Sequence, residues 1–335
     1  MRSYIALPDG YVRGTFFTPE NIKLAKDAGR AVFFGGTSKC RAEDVIGEIG
    51  DSEVYVTGWG SPKLDAAIIE AAPCLKLHVH LCGTVVPYDA PEVWDRGIRV
   101  ISGNYFFAES VAEGTVGYML SALRDIPFYS ERLKKEGVWK NTGDMSYSLL
   151  GKTVGVISYG TIARHLVRML QPFRVKIKVY DIKPLPEEDV IKYGLLQAGL
   201  ADIFSSCDII TVHTPLFDAT RHMIGKELFD LIRPGALFVN TSRGEILDQD
   251  ALEDALESGR FKAVLDVYRK EPPEPDCRLY HLPNVIMMPH MAGPTVDLRS
   301  YITHELITEA AGFIDRGEPL SREITKERAA VMSRH

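Results

Sequence analysis

Between Lys152 and Pro289, this chain of 335 residues repeats one pattern: a short run that is apolar at nearly every position, then an amphipathic stretch, then another apolar run. The runs are TVGVIS, VKIKVY, DIITVH, ALFVN, KAVLDV and VIMM. A strand with one wet face alternates apolar and polar residues, whereas a strand covered by helices on both faces reads as continuous Val and Ile. Helices are predicted between these runs over 161–170, 200–206, 225–232 and 248–258. The last opens D-Q-D-A-L, with acidic residues where the positive end of the helix dipole favours them. Six buried strands with intervening helices predict an α/β fold on a doubly wound parallel sheet.

The first hundred residues carry a weaker series of the same kind. Strands are predicted around SYIAL, AVFF, VYVTG, LKLHVH and IRVIS, with helices from Pro19 and from Lys63, which predicts a second sheet of flavodoxin type. A long helix over 108–123 leads into SERLKKEGVWKNTGD, read as surface and crossover. One more helix, YITHELITEAAGFIDRG, is expected to pack back on the first domain. The length suits two domains, divided here into a split domain of 1–104 and 299–335 and an inserted domain of 105–298.

Composition removes several classes. Apolar residues at 45% and charged residues at 25% are those of a globular protein. The net charge of -6, with no basic stripe, argues against a nucleic-acid partner. No run approaches the roughly 18 apolar residues of a membrane span, and the N-terminus MRSYIALPDGYVRG does not read as a leader, so a cytoplasmic location is expected. Five widely spaced cysteines without a C-x-x-C pair are expected to be reduced and mostly buried. His78 and His80 lack a third ligand nearby, so they are read as a strand face and no metal is expected.

The stretch VGVISYGTIAR nearly spells the G-x-G-x-x-G turn of a dinucleotide site, with Ser158, Gly160 and Ala163 at the three glycine positions. The second glycine, which lets the backbone approach a pyrophosphate, is present, and alanine is tolerated at the third. A serine at the first position carries strain of about 1–2 kcal/mol if its φ is positive. Asp181 ends the next strand, 21 residues after Gly160, where an acid meets the ribose 2′-hydroxyl of NAD and repels the extra phosphate of NADP. Residues Ser158, Tyr159, Gly160, Thr161, Ile162 and Asp181 are therefore the cofactor-binding candidates, with NAD as the expected cofactor.

Ligands of doubly wound sheets bind outside the carboxyl ends of the strands. There ALFVN runs into TSRGE, KAVLDV into YRKEPPEP, and VIMM into PHMAG, so Arg243, Glu271 and His290 leave one edge from three segments. These residue types suit hydride transfer between a nicotinamide and C2 of a 2-hydroxy or 2-oxo acid. Arg243 would clamp the carboxylate and polarise the carbonyl. His290 would carry the hydroxyl proton, and Glu271 would orient the imidazole and favour its protonated form. Asp266, at a strand end, is expected to accept a hydrogen bond from the nicotinamide carboxamide.

With these residues in view, the chain resembles the D-isomer-specific 2-hydroxyacid dehydrogenases through TGWGSP, AAPCLKL, WDRGIRV, AESVAEGTVGYML, LLGKTVGVISYGTIAR, VHTPLFDATRHMIG, ALFVNTSRGEILDQDAL, LDVYRKEPPEP and NVIMMPHMAG. The resemblance implies a Rossmann NAD-binding domain inserted in a split substrate-binding domain, an active site in the cleft, and homodimers formed through the nucleotide domain. It implies Arg243 as substrate arginine, Glu271 and His290 as the acid/base pair, and Asp266 as nicotinamide ligand. It further implies that His213, Thr214 and Pro215 line the cofactor, that Thr241 and Ser242 lie near the nicotinamide ribose, and that Cys82, Gly83 and Thr84 bind the substrate carboxylate. Three departures stand out: Ser158, Phe107 where the family commonly has Asn, and C-G-T-V in place of A-G-x-G. Within the same resemblance, an NADH-sensing interaction protein like the C-terminal-binding-protein corepressors is the non-enzymatic alternative.

Overall fold

A computed structural model describes residues 1–332, which divide into two compact units: 1–107 together with the segment from Pro294 on, and Ala108–Gly293. The boundaries fall four residues inside the long helix Asn104–Leu123 and just ahead of the helix Val296–Arg316. Both helices run through the switch from one unit to the other or begin beside it.

The first unit holds five parallel strands, β1 (Arg2–Ile5), β2 (Arg30–Phe33), β3 (Val54–Thr57), β4 (Leu77–His80) and β5 (Arg99–Ser102), in the order β2-β1-β3-β4-β5. This is the flavodoxin arrangement. β3 and β4 are buried at every position, although β4 carries two histidines. The helix Val296–Arg316 packs on this sheet, burying Ile302, Leu306, Ile307 and Ala310 against Leu77, Val79 and Leu81. The histidines of β4 are structural in placement: Asp89 holds His78 Nδ1 at 2.7 Å, while Thr57 Oγ1 lies 2.6 Å from His78 Nε2 and 2.9 Å from His80 Nδ1. All five cysteines are free thiols, with Cys40, Cys82 and Cys207 buried.

The second unit is a seven-stranded parallel sheet: β6 (Thr153–Ile157), β7 (Lys176–Tyr180), β8 (Leu195–Gln197), β9 (Ile209–Val212), β10 (Leu237–Asn240), β11 (Lys262–Leu265) and β12 (Val285–Met287). Its order is β12-β11-β10-β9-β6-β7-β8, the doubly wound Rossmann order with one strand added beyond β11. The six apolar runs became strands. β8 was not expected; two of its three residues are exposed, so it lacks the apolar run that marks the others. The short helices Tyr11–Phe16, Ala42–Glu48, Glu92–Asp95, Glu187–Tyr193 and Lys326–Ala329 also lie outside the predicted elements. The segment read as surface and crossover opens within a helix, Ile126–Glu136, which buries none of its residues and so lies at the surface. The helix expected from Lys63 starts at Ala66, because Asp65 caps it by accepting from the Ile68 amide. No described helix is long and apolar enough to cross a membrane.

The order reverses between β6 and β9, and the turn after β6 stands there. Ser158 adopts φ 73, the left-handed conformation that a first glycine usually supplies. Its hydroxyl does not reach a backbone amide; it pairs with the Thr214 hydroxyl at 2.9 Å, joining the ends of β6 and β9 across the switch point. Gly160 caps the helix Thr161–Leu170 without a side-chain bond, and Ala163 is fully buried in the packing between helix and sheet. The strain and the hydroxyl bond are of similar size, about 1 kcal/mol each. Ser158→Ala keeps the strain and loses the bond, whereas Ser158→Gly loses both. We expect the alanine variant to be the less stable of the two in chemical denaturation; equal or reversed midpoints would refute this account of the turn.

Candidate active site

Each expected residue of the second unit can be placed. Asp181, at the end of β7, does not project freely: one carboxylate oxygen accepts from the Tyr159 amide at 2.8 Å and the other from the Lys183 amide at 2.9 Å. The carboxylate thus ties the end of β7 to the turn after β6. About half of its roughly four acceptor positions stay available for a ribose. The turn fits a dinucleotide phosphate by two observations. A Cβ at Gly160 would meet nothing within 4 Å, so the backbone is open to close approach. The first amides of Thr161–Leu170, a helix of ten residues, have no side-chain cap. Across the switch point, His213 is buried, its Nε2 lies 3.0 Å from Thr211 Oγ1, and its Nδ1 has no partner among the described residues. Burial pushes its pKa down to about 3, so the ring is neutral.

Residues Thr241, Ser242 and Arg243 form a turn built by a side chain that sequence reasoning passed over. Asn240, the buried last residue of β10, accepts from the Ser242 amide at 3.0 Å and donates to the Arg243 carbonyl at 3.1 Å. The Thr241 hydroxyl lies 3.1 Å from that of Thr115, and the Ser242 hydroxyl donates to the Thr214 carbonyl. Arg243 Nη1 donates to the Ser242 carbonyl at 2.7 Å. The next residue has to be glycine: a Cβ on Gly244 would lie 1.9 Å from the Tyr268 carbonyl carbon and 2.4 Å from the Arg269 nitrogen. That close pass presses the Arg243 turn against the chain leading to Glu271.

Glu271 and His290 meet as the strand ends predict. Glu271 Oε2 lies 2.7 Å from His290 Nδ1, and Oε1 accepts from the Tyr268 amide at 3.1 Å. Burial of Glu271 would raise its pKa, but the hydrogen bonds from His290 and the Tyr268 amide, with the charges of His290 and Arg243, outweigh it and hold the carboxyl below its ordinary value. Arg243 is in turn affected first by its burial, which lowers its pKa, and then by the Glu271 charge, which opposes that. The three groups therefore act on one another. His290 is half exposed, so the ring edge away from Glu271 is accessible to a substrate.

Asp266 has more internal partners than a cofactor ligand needs. Its Oδ1 accepts from the Met291 amide at 2.8 Å and the Tyr118 hydroxyl at 2.9 Å, and its Oδ2 from the Ala292 amide at 3.0 Å. Its carbonyl accepts from the His290 amide at 2.9 Å. The buried carboxylate clamps the P-H-M-A loop, in which His290 itself has φ 54, a left-handed conformation for which histidine is among the more tolerant residues. Tyr118 was not anticipated; it lies in a helix that is apolar overall, with no face set apart.

In the first unit, Cys82, Gly83 and Thr84 follow β4 at the carboxyl edge of its sheet. Phe107 stands over this loop, its Cδ1 3.4 Å from where a Cβ of Gly83 would be. Cys82 is buried, and its thiol is pushed up to about 12 by that burial.

The lowered pKa of Glu271 has a sign for stability. Its contribution is present above the ordinary carboxyl value of 4.5 and is lost as pH falls through the depressed folded value. Glu271→Gln should flatten the acid limb of a plot of thermal midpoint against pH, leaving the neutral limb little changed; parallel curves would contradict the pairing.

Comparison with known proteins agrees with this architecture. Residues 116–292 match the family model for the NAD binding domain of the D-isomer specific 2-hydroxyacid dehydrogenases. D-3-phosphoglycerate dehydrogenase of Methanocaldococcus jannaschii is 33% identical over 299 residues, covering 89% of this chain and 56% of that protein. The chain thus spans little more than half the length of that relative. Hydroxypyruvate reductase of Thermotoga maritima is 34% identical over 249 residues, 73% of this chain and 79% of its own. A crystal structure of a phosphoglycerate oxidoreductase from Rhizobium etli superposes with a TM-score of 0.78 at 26% identity, covering 97% of this chain and 99% of that one. The Rossmann order of the sheet, the residues at its carboxyl edge and these matches lead to one statement: the chain belongs to the D-isomer-specific 2-hydroxyacid dehydrogenase family.

Proposed function

We propose that the protein is an NAD-dependent dehydrogenase, or 2-oxo acid reductase, acting on a small D-2-hydroxy acid of the glyoxylate, hydroxypyruvate or phosphoglycerate kind. The observation that carries this reading is the 2.7 Å pair of Glu271 and His290 beside the Arg243 turn. Bound NAD supplies the hydride acceptor or, when reduced, the donor. His290, with Nδ1 held by Glu271, presents Nε2 to the substrate oxygen and gives or takes its proton, a role that contributes about 10²- to 10⁴-fold in enzymes of known mechanism. Glu271 fixes the ring and stabilises the imidazolium when the proton resides there. Arg243 holds the carboxylate and polarises the 2-oxo group. The backbone of Cys82, Gly83 and Thr84 is the second carboxylate anchor. Residues 158–162 and Asp181 take the pyrophosphate and ribose, His213, Thr214 and Pro215 line the cofactor, Thr241 and Ser242 flank its nicotinamide ribose, and Asp266 has acceptor capacity for the carboxamide beside its clamp on the loop.

The acting species is assigned as a homodimer. The helix Ile126–Glu136 and the residues after it expose Ile126, Phe128, Leu133, Trp139, Met145, Tyr147 and Leu150, with Trp139 73% accessible. Such a cluster on one stretch of chain marks an association surface. A second copy meeting it through a two-fold axis covers the same patch on both chains. Trp139→Glu is expected to shift the mass measured by light scattering from dimer to monomer; an unchanged dimer would place the interface elsewhere.

The chemistry is tested by NADH and NADPH consumption with glyoxylate, hydroxypyruvate, pyruvate and longer 2-oxo acids, with His290→Gln alongside. The expected result is turnover with NADH, lowered by about 10²-fold or more in His290→Gln while NADH binding is kept. Tight NADH binding without turnover of any acid would favour the sensor reading instead.

A further inference from the structure

Three segments of the first unit converge on one side chain. Trp59 follows β3, Phe107 lies in the opening turns of the helix after β5, and Arg299 lies in the first turn of the helix Val296–Arg316. The Arg299 guanidinium stands 4.9 Å from the centroid of the Trp59 ring and 5.8 Å from that of Phe16. Trp59 meets Phe16 edge-on at 5.5 Å and Phe107 edge-on at 6.2 Å. Phe107 in turn stands over Gly83, so the cluster is continuous with the loop Cys82, Gly83, Thr84. The Arg299 charge also acts on the buried Cys82 thiol of that loop. Gly83, Trp59 and Phe107 all leave the carboxyl ends of adjacent parallel strands, the edge at which such sheets take ligands.

Arg299 is poorly satisfied for a cation in that position. Its recorded polar contact is a long one, Nη1 to Thr15 Oγ1 at 3.4 Å, and no carboxylate pairs with it among the described residues. Its Nε is buried and has no acceptor there. Removing a donor from water without replacing its partner is costly. A guanidinium stacked on an indole keeps its N–H groups in its own plane, where they suit the two oxygens of a carboxylate or phosphate. The neighbouring rings exclude water and strengthen that attraction.

We propose that Arg299, stacked on Trp59, is a specificity residue that binds an anionic group at the far end of the substrate. This rests on the dehydrogenase reading, in which the loop at Gly83 holds the near carboxylate. The ligand class is a 2-oxo acid with a second carboxylate or a phosphate beyond C3, and Phe107 and Trp59 form the apolar wall along the carbons between the two charges.

The test compares substrates alike except for that charge. The ratio of kcat/KM for 2-oxoglutarate over 2-oxopentanoate reports a distal carboxylate, and that for 3-phosphohydroxypyruvate over hydroxypyruvate reports a distal phosphate. At least one ratio should favour the anion and fall by roughly 10- to 100-fold in Arg299→Met, with partial recovery in Arg299→Lys. The arm that responds identifies the group. Ratios that favour the neutral acids, or that stay constant while both members of each pair decline, would overturn the proposal. If no 2-oxo acid is turned over, the dehydrogenase reading fails by itself. The same four acids are then compared by calorimetry with parent and Arg299→Met protein, and binding that is absent or indifferent to Arg299 overturns the subsite as well.

Discussion

The site in the second unit hangs on the buried carboxylate of Asp266. It sits at the end of β11 and receives the amides of Met291 and Ala292 and the hydroxyl of Tyr118, while its own carbonyl receives the amide of His290. A buried charge with fewer partners would be costly, so the loop after β12 closes over it and cannot move without leaving the charge unpaired. That closure forces His290 into its left-handed conformation and sets the imidazole where Glu271 can reach it. Strain at His290 is thereby held by a hydrogen-bonded carboxylate at the end of another strand.

The same device recurs along the sheet edge. Asn240 builds the Arg243 turn with its own amide group, Asp181 ties the turn after β6 to β7, and Ser158 and Thr214 join across the switch point. In each case a polar side chain at or just beyond a strand end satisfies groups of its own turn or of a neighbouring segment. Apolar strands set the layer and its order. Short polar side chains at their carboxyl ends then set the turns, and the turns aim Arg243, Glu271 and His290. Gly244 is the steric counterpart, since only a residue without a Cβ lets the Arg243 turn pass the Tyr268 backbone.

Much of this was legible without coordinates. Apolar runs identify β6 and β9 to β11 because burial on both faces leaves no place for polar alternation, whereas β7 reads KIKVY with alternating burial and β12 is half-buried. The spacing of Asp181 and the residues after three strands point to the candidate site because strand ends in such a sheet share an edge. β8 and the helices Glu187–Tyr193 and Ile126–Glu136 were not legible, since each buries little of its own surface. Tyr118 and Asn240 escaped for a different reason. The partner of Tyr118 lies 148 residues away, and nothing local marks a tyrosine in an apolar helix as a hydrogen-bond donor, while Asn240 bonds within its own turn, to Ser242 and Arg243, and reads in the sequence as an ordinary last residue of a strand.

The sequence by itself determined the two parallel sheets and the family, and it singled out Arg243, Glu271 and His290 as the candidate site, because strand burial and strand-end residues are local properties of the chain. Only the tertiary structure decided that Ser158 pairs with a threonine hydroxyl, that Asp266 clamps the histidine loop, and that Arg299 stands against Trp59 without a carboxylate among the described residues. Those are contacts between segments far apart in sequence. They follow from how each side chain satisfies its hydrogen bonds once the sheets have formed, and chain order alone does not carry that choice.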